Sequence, residues 1–249
     1  MKLVILTALG VGSATLIGAL IGFLFKKLSH KFSDIILSFA AGVMLAAAIL
    51  GLIIPSLEEG GKFALLTTVA GIFTGAVCIS VIDKFVPHLH RLAGKDIEPH
   101  KNKGLDKVLL FVTAIAIHNF PEGIAAGVGF GTGDNSQALV IAGGIALQNI
   151  PEGMVIIAPM LSAGFSKNRT LIVAAITGLI EVLGTFMGYF AVSVMSTILP
   201  FALAFAGGTM LYVISDEMIP ETHHNNSPFV TYSLLAGFCL MLISDVLLG

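Results

Sequence analysis

Long apolar stretches separated by short polar breaks fill the chain, near residues 3–25, 35–57, 63–82, 108–130, 137–160, 171–194, 199–218 and 229–248. A helix needs about 20 apolar residues to cross the hydrocarbon core of a bilayer, and each stretch has that length. Turn and charge signals mark the breaks: Lys26-Lys27, Glu58-Glu59-Gly60-Gly61, Gly131-Thr132-Gly133-Asp134-Asn135 and Lys167-Asn168-Arg169. Between the sixth and seventh stretches only Ser196, Thr197 and Pro200 suggest a turn. The pattern predicts an all-α integral membrane protein with eight transmembrane helices in one domain over residues 1–249. Met1-Lys2 and the apolar run behind it resemble a secretion signal. That run extends from Leu3 to Phe25, longer than the ~7–15 residues of a signal core and without an obvious cleavage site. It reads as the first membrane helix.

Composition supports lipid as the solvent. The chain is 56% hydrophobic and 11% charged, with a mean hydropathy of +0.97. A soluble domain is about a quarter charged, so this chain cannot cover its own surface with polar groups. The net charge of -2 suggests no nucleic-acid partner. Cys78 and Cys239 lie inside apolar runs and read as buried small hydrophobes rather than a disulfide. Lysine and arginine set the orientation. The connections after the first, third and fifth spans hold Lys26, Lys27, Lys31, Lys84, Arg91, Lys95, Lys101, Lys103, Lys107, Lys167 and Arg169, against Lys2 and Lys62 on the other side. This count puts both termini outside a cell (inner or plasma) membrane and the 87–107 loop in the cytoplasm.

Internal repeats come next. Ser38-Phe-Ala-Ala-Gly-Val-Met-Leu45 in span 2 matches Ala204-Phe-Ala-Gly-Gly-Thr-Met-Leu211 in span 7, at an offset of 166 residues. At that offset Gly18 and Gly22 fall on Gly184 and Gly188, and Ala70-Gly71 falls on Ala236-Gly237. Spans 1–3 therefore repeat as spans 6–8, and by the charge count the copies are inverted. Inverted copies can exchange conformations to give outward- and inward-open states. Spans 4 and 5 lie between the copies, where a substrate site is expected. The spaced glycines permit close helix contact within one chain or across a homodimer.

Span 4 contains His118-Asn-Phe-Pro-Glu-Gly123 and span 5 contains Gln148-Asn-Ile-Pro-Glu-Gly153. On a helix, His118, Asn119 and Glu122 share a face, as do Gln148, Asn149 and Glu152. Pro121 and Pro151 lack N–H groups, so the carbonyls of Ile117 and Leu147 lose their helical partners. Within a bilayer such carbonyls must meet protein, water or a ligand. Ionised Glu122 and Glu152, with Glu181 in span 6, are costly in lipid without compensation and call for a cation. One imidazole, three carboxylates, several amide oxygens and Met44 suit Zn²⁺, Fe²⁺, Mn²⁺ or Co²⁺ better than an alkali ion. With three carboxylates, one divalent ion leaves the site at -1 and two leave it at +1.

The paired motifs and the eight spans resemble the ZIP family of zinc- and iron-regulated metal transporters, with Gln148 and the short chain closer to its prokaryotic GufA-like branch. The resemblance implies zinc uptake into the cytoplasm by alternating access, with Fe²⁺, Mn²⁺, Co²⁺ or Cd²⁺ as other substrates and no organic cofactor. It implies a first metal position of Met44, His118, Glu122, Gln148 and Glu152, and a second of Asn119, Glu122, Asn149, Glu152 and Glu181. Gln148 replaces a common His and Asn149 a frequent Asp, which removes affinity and charge. His88, His90 and His100 in the 87–107 loop are expected to be weak cytosolic acceptors. Asp216, Glu217, Glu221, His223 and His224 are expected to form an exit route at the inner end of span 7. A passive metal channel would share these motifs and differ in saturation. An intramembrane zinc enzyme would need a His-Glu-x-x-His helix, which the sequence lacks.

Overall fold

The computed structural model describes residues 1–25, 29–85, 103–162, 164–223 and 227–249. Apolar residues leave the backbone to satisfy its own hydrogen bonds, and among the described residues it does so only as helices. These are α1 (Lys2–Gly22), α2 (His30–Ala46), α3 (Ile54–Glu59), α4 (Ala64–Phe85), α5 (Lys103–Gly129), α6 (Asn135–Ser162), α7 (Lys167–Val194), α8 (Leu199–Val213), α9 (Ile219–Thr222) and α10 (Pro228–Leu248). α2 continues into α3 through a π-helical segment, Ala47–Ile53, and α8 into α9 through another, Ile214–Met218. Seven stretches among the described residues are long and apolar enough to cross a membrane. The remaining expected span, 108–130, falls on α5, a 27-residue helix.

Local signals set the ends. The Ser29 hydroxyl accepts from the Phe32 N–H at the start of α2 (3.2 Å), and Asp134 accepts from the N–H groups of Ser136 (2.8 Å) and Gln137 (3.2 Å) at the start of α6. Gly133, at φ 82°, makes the turn before it; only glycine enters that region without strain. The faint break between the sixth and seventh spans is a real one. α7 stops at Val194, Met195 adopts an extended φ of -140°, and a short 3₁₀ turn, Ser196–Ile198, leads into α8.

The helices fall into two groups. α1, α5, α6 and α7 pack together, as do α2, α4, α8 and α10, and the groups meet where α2 lies on α6 and α5 on α8. A methyl group added at Gly18 would collide with the Ile150 carbonyl of α6, and one at Gly184 with the Phe120 carbonyl of α5. On the other side, Gly42 abuts the Leu234 carbonyl and Gly237 the Phe39 carbonyl, joining α2 to α10. Gly208 abuts the Ile72 carbonyl and Gly75 the Phe205 carbonyl, joining α8 to α4. α1 crosses α7 at Gly12 and Gly178, each against the other's carbonyl. Every one of these glycines packs within the chain.

Buried hydroxyls add hydrogen bonds at two joints. Ser38 donates to the Val230 carbonyl and Ser233 to the Ile35 carbonyl, both at 2.7 Å, fastening α2 to α10. Ser56 donates to the Pro200 carbonyl at 2.6 Å and lies 2.8 Å from Thr68. The apolar core runs between the groups through Met44, Leu52, Ile141, Ile145, Leu203 and Met210. α4 and α10 are peripheral: 22% and 17% of their most apolar windows are buried. Cys78 and Cys239 lie on these two helices, free and exposed. They are not the buried small residues expected, because an apolar run on an outer helix faces lipid.

Candidate metal centre

The polar layer forms where the two central helices carry their repeated motif. α5 and α6 stay helical through Pro121 and Pro151. Each residue of Pro-Glu-Gly has its own task there. The proline frees a carbonyl one turn back, the glutamate brings charge, and the glycine admits a neighbouring backbone. A methyl group at Gly123 would strike the Glu181 carbonyl of α7, and one at Gly153 would strike the Thr15 carbonyl of α1. Glycine after glutamate is thus what brings α7, and Glu181 with it, against the motif of α5.

Asn119, Glu122, Gln148, Asn149 and Glu181 are all fully buried, and Met44 is nearly so. Glu122 faces Glu152 and Glu181 closely enough to repel both when charged, and Glu152 faces His118. The Asn149 amide nitrogen donates to Glu181 at 2.5 Å and reaches the Val11 carbonyl at 3.5 Å. The Gln148 amide lies beside Glu122, short of a well-formed hydrogen bond. Both polar atoms of Asn119 and Oε2 of Glu181 have no hydrogen-bond partner.

His118 and Glu152 sit at the less buried edge of the layer. There His118 Nε2 meets Glu217 Oε2 at 2.6 Å, with 19% and 14% of the two side chains exposed. Glu217, expected at an exit route, stands beside the motif, carried there by the π-helical segment Ile214–Met218. Such segments recur at functional sites, yet nothing in the apolar pattern announces one. Among the described residues no three His, Cys, Asp or Glu side chains stand together in metal-holding geometry. The converging donors are carboxylates mixed with amides, with His118 turned to Glu217 and Glu181 held by Asn149.

Among the described residues, Asp216, Glu221 and His223 form no metal-holding group with this layer. Asp216 and Glu221 are exposed. The His223 ring approaches the Ile219 carbonyl at 2.9 Å and the Thr222 hydroxyl at 3.2 Å. His224 lies outside the described residues, as do His88, His90 and His100.

Residues 95–245, which include both motifs, match the family model described as ZIP Zinc transporter. Over 252 residues the chain is 38% identical to zinc transporter GufA of Myxococcus xanthus, covering 98% of each chain. The chain belongs to the ZIP family. Two further ZIP relatives agree. Zinc transporter ZIPB of Bordetella bronchiseptica is 36% identical over 95% of this chain and 78% of its own. Zinc transporter ZupT of Chlorobaculum parvum is 33% identical over 95% and 94%. Membership of the ZIP family makes this a multi-pass membrane transporter and not an enzyme, consistent with its apolar helices.

Proposed function

We propose that the protein carries divalent transition-metal ions, zinc foremost, into the cytoplasm by alternating access through the polar layer of α5 and α6. The observation that carries this reading is the buried excess of oxygen acceptors. Glu122, Asn119, Gln148, Asn149 and Glu181 are fully buried, and most of their oxygens lack a donor. Each unsatisfied buried polar group costs about 1–3 kcal/mol, and more if charged. A cation satisfies several at once, and no apolar substrate could. The names of the relatives support zinc as that cation.

In this reading Met44, His118, Glu122, Gln148 and Glu152 bind at one position, and Asn119, Glu122, Asn149, Glu152 and Glu181 at a second. Two contacts must then open. His118 leaves Glu217 to present nitrogen to the metal, and Asn149 turns its amide so that oxygen replaces nitrogen toward the ion. Glu217 is thereby a resting partner that holds His118 until metal arrives.

Alternating access rests on eight membrane helices arranged as an inverted repeat, with α1–α4 mirrored by α7–α10 around α5 and α6. Its support lies in matched contacts. Gly18 and Gly184 stand 166 residues apart, and each meets the carbonyl before a motif proline. Both copies of the Phe-Ala-x-Gly-x-Met-Leu segment run directly into a π-helical segment. The peripheral helix keeps its partners with a shift of one turn: Gly75, rather than Gly71, is the contact counterpart of Gly237. Uptake by purified protein in liposomes tests the reading. Zn²⁺ entry should saturate with concentration, and Glu122→Ala or Glu152→Ala should abolish it while the protein stays folded. Wild-type uptake by either variant removes the site, and uptake that never saturates turns the carrier into a channel.

A further inference from the structure

The two halves differ at one position of the polar layer. At the offset of 166 residues, the counterpart of Glu181 is Thr15. The backbone equivalence is close, since Thr15 offers its carbonyl to Gly153 as Glu181 offers its own to Gly123. In the same way Asn119 is the counterpart of Asn149, 30 residues on. Asn149 is paired with a carboxylate, and the repeat assigns Asn119 a hydroxyl in the matching position.

That hydroxyl is fully buried and has no hydrogen-bond partner. A threonine inside a helix ordinarily donates to the carbonyl three or four residues back. Thr74, Thr170, Thr177, Thr185, Thr209 and Thr222 all do so here. The carbonyl four residues before Thr15 belongs to Val11, and it faces the Asn149 amide nitrogen instead. Both polar atoms of Asn119 are likewise without a partner, with the side chain fully buried. Two orphaned neutral groups thus stand at the repeat positions that match Glu181 and Asn149.

We propose that Thr15 is a further ligand-binding residue of this site, its hydroxyl and the Asn119 amide supplying neutral oxygens to the transported cation opposite Glu181 and Asn149. The inference rests on the proposed transport reading and adds α1 to the helices that touch the ion. Neutral oxygens bind zinc-like ions more weakly than carboxylates do. The cation is therefore held by charge on the Glu181 side and by dipoles on the Thr15 side.

The test measures Zn²⁺ uptake against concentration in liposomes for the wild type, Thr15→Val, Thr15→Ser and Glu122→Ala, with the Tm of each. Valine keeps the shape and removes the oxygen, so KM should rise about fivefold, the worth of one neutral polar contact, with Tm little changed. Serine should restore the wild-type KM. Unchanged KM in Thr15→Val, or equal impairment in Thr15→Val and Thr15→Ser, overturns the inference. If either occurs while Glu122→Ala is inactive, the site on α5 and α6 stands without Thr15. An active Glu122→Ala removes the site and the inference together.

Discussion

Asn149 holds Glu181 through its amide nitrogen at 2.5 Å, so its exchange for aspartate changes more than charge. Asn149→Asp removes the donor and sets a carboxylate against Glu181, a repulsion that only a cation between them relieves. The metal-free variant should lose several degrees of Tm, and Zn²⁺ should restore more than it does in the wild type. Calorimetric titration should show tighter Zn²⁺ binding, with slower turnover in liposomes. An equal Zn²⁺-induced shift in both proteins would make Asn149 a packing residue. His118→Ala removes the imidazole that favours borderline metals, so uptake should shift from Zn²⁺ toward Mn²⁺, read as the ratio of the two initial rates. At this scale much was legible before any coordinates. His118, Glu122 and Glu152 stand out because charge in an apolar run demands a partner. The place of Glu217 beside His118 and the role of Thr15 did not. One is delivered by a π-helical turn, and the other is an ordinary threonine until the carbonyl of Val11 is seen to face Asn149.

Between elements, glycine decides how near two backbones come. Gly123→Ala would drive a methyl group into the Glu181 carbonyl and push α7 from α5. Overpacking of this kind costs about 1–3 kcal/mol, and here the displacement also moves Glu181 out of the polar layer. We expect Gly123→Ala to lower Tm and to lose most Zn²⁺ uptake. Gly143→Ala, with nothing within 4 Å of the added atom, should keep both. Equal behaviour of the two variants in a paired Tm and uptake measurement would detach helix approach from the site. Seven of the spans, and the glycines that join their helices, were readable because hydrophobicity and small residues are written directly in the chain. The register of the proposed peripheral copy was not. Ala70-Gly71 aligns with Ala236-Gly237 by offset, whereas contacts pair Gly75 with Gly237, because Gly75 follows Phe39 by four residues more than Gly237 follows Phe205.

For the whole molecule, the charge count predicts its direction in the membrane. Asn135 and Asn168 are exposed at the starts of α6 and α7, one at each end of the hairpin that these helices form. In a variant lacking Cys78 and Cys239, single cysteines there should react with an impermeant thiol reagent from opposite sides, Asn135→Cys from outside. Reaction of Asn168→Cys from outside would invert the proposed orientation. Helix length has a consequence of its own. The lipid-facing α4 and α10 have 22 and 21 residues, while α6 and α7 have 28 each. At ~1.5 Å per residue the outer helices match a hydrocarbon slab of about 30 Å, and the inner ones overshoot it by roughly 10 Å. The helices that carry the polar layer must therefore lean or emerge, and the amount depends on how thick the surrounding bilayer is. Acyl-chain length becomes a control on transport. Uptake should peak in lipids of intermediate length and fall in both thinner and thicker vesicles, making the membrane a mechanical participant in metal movement.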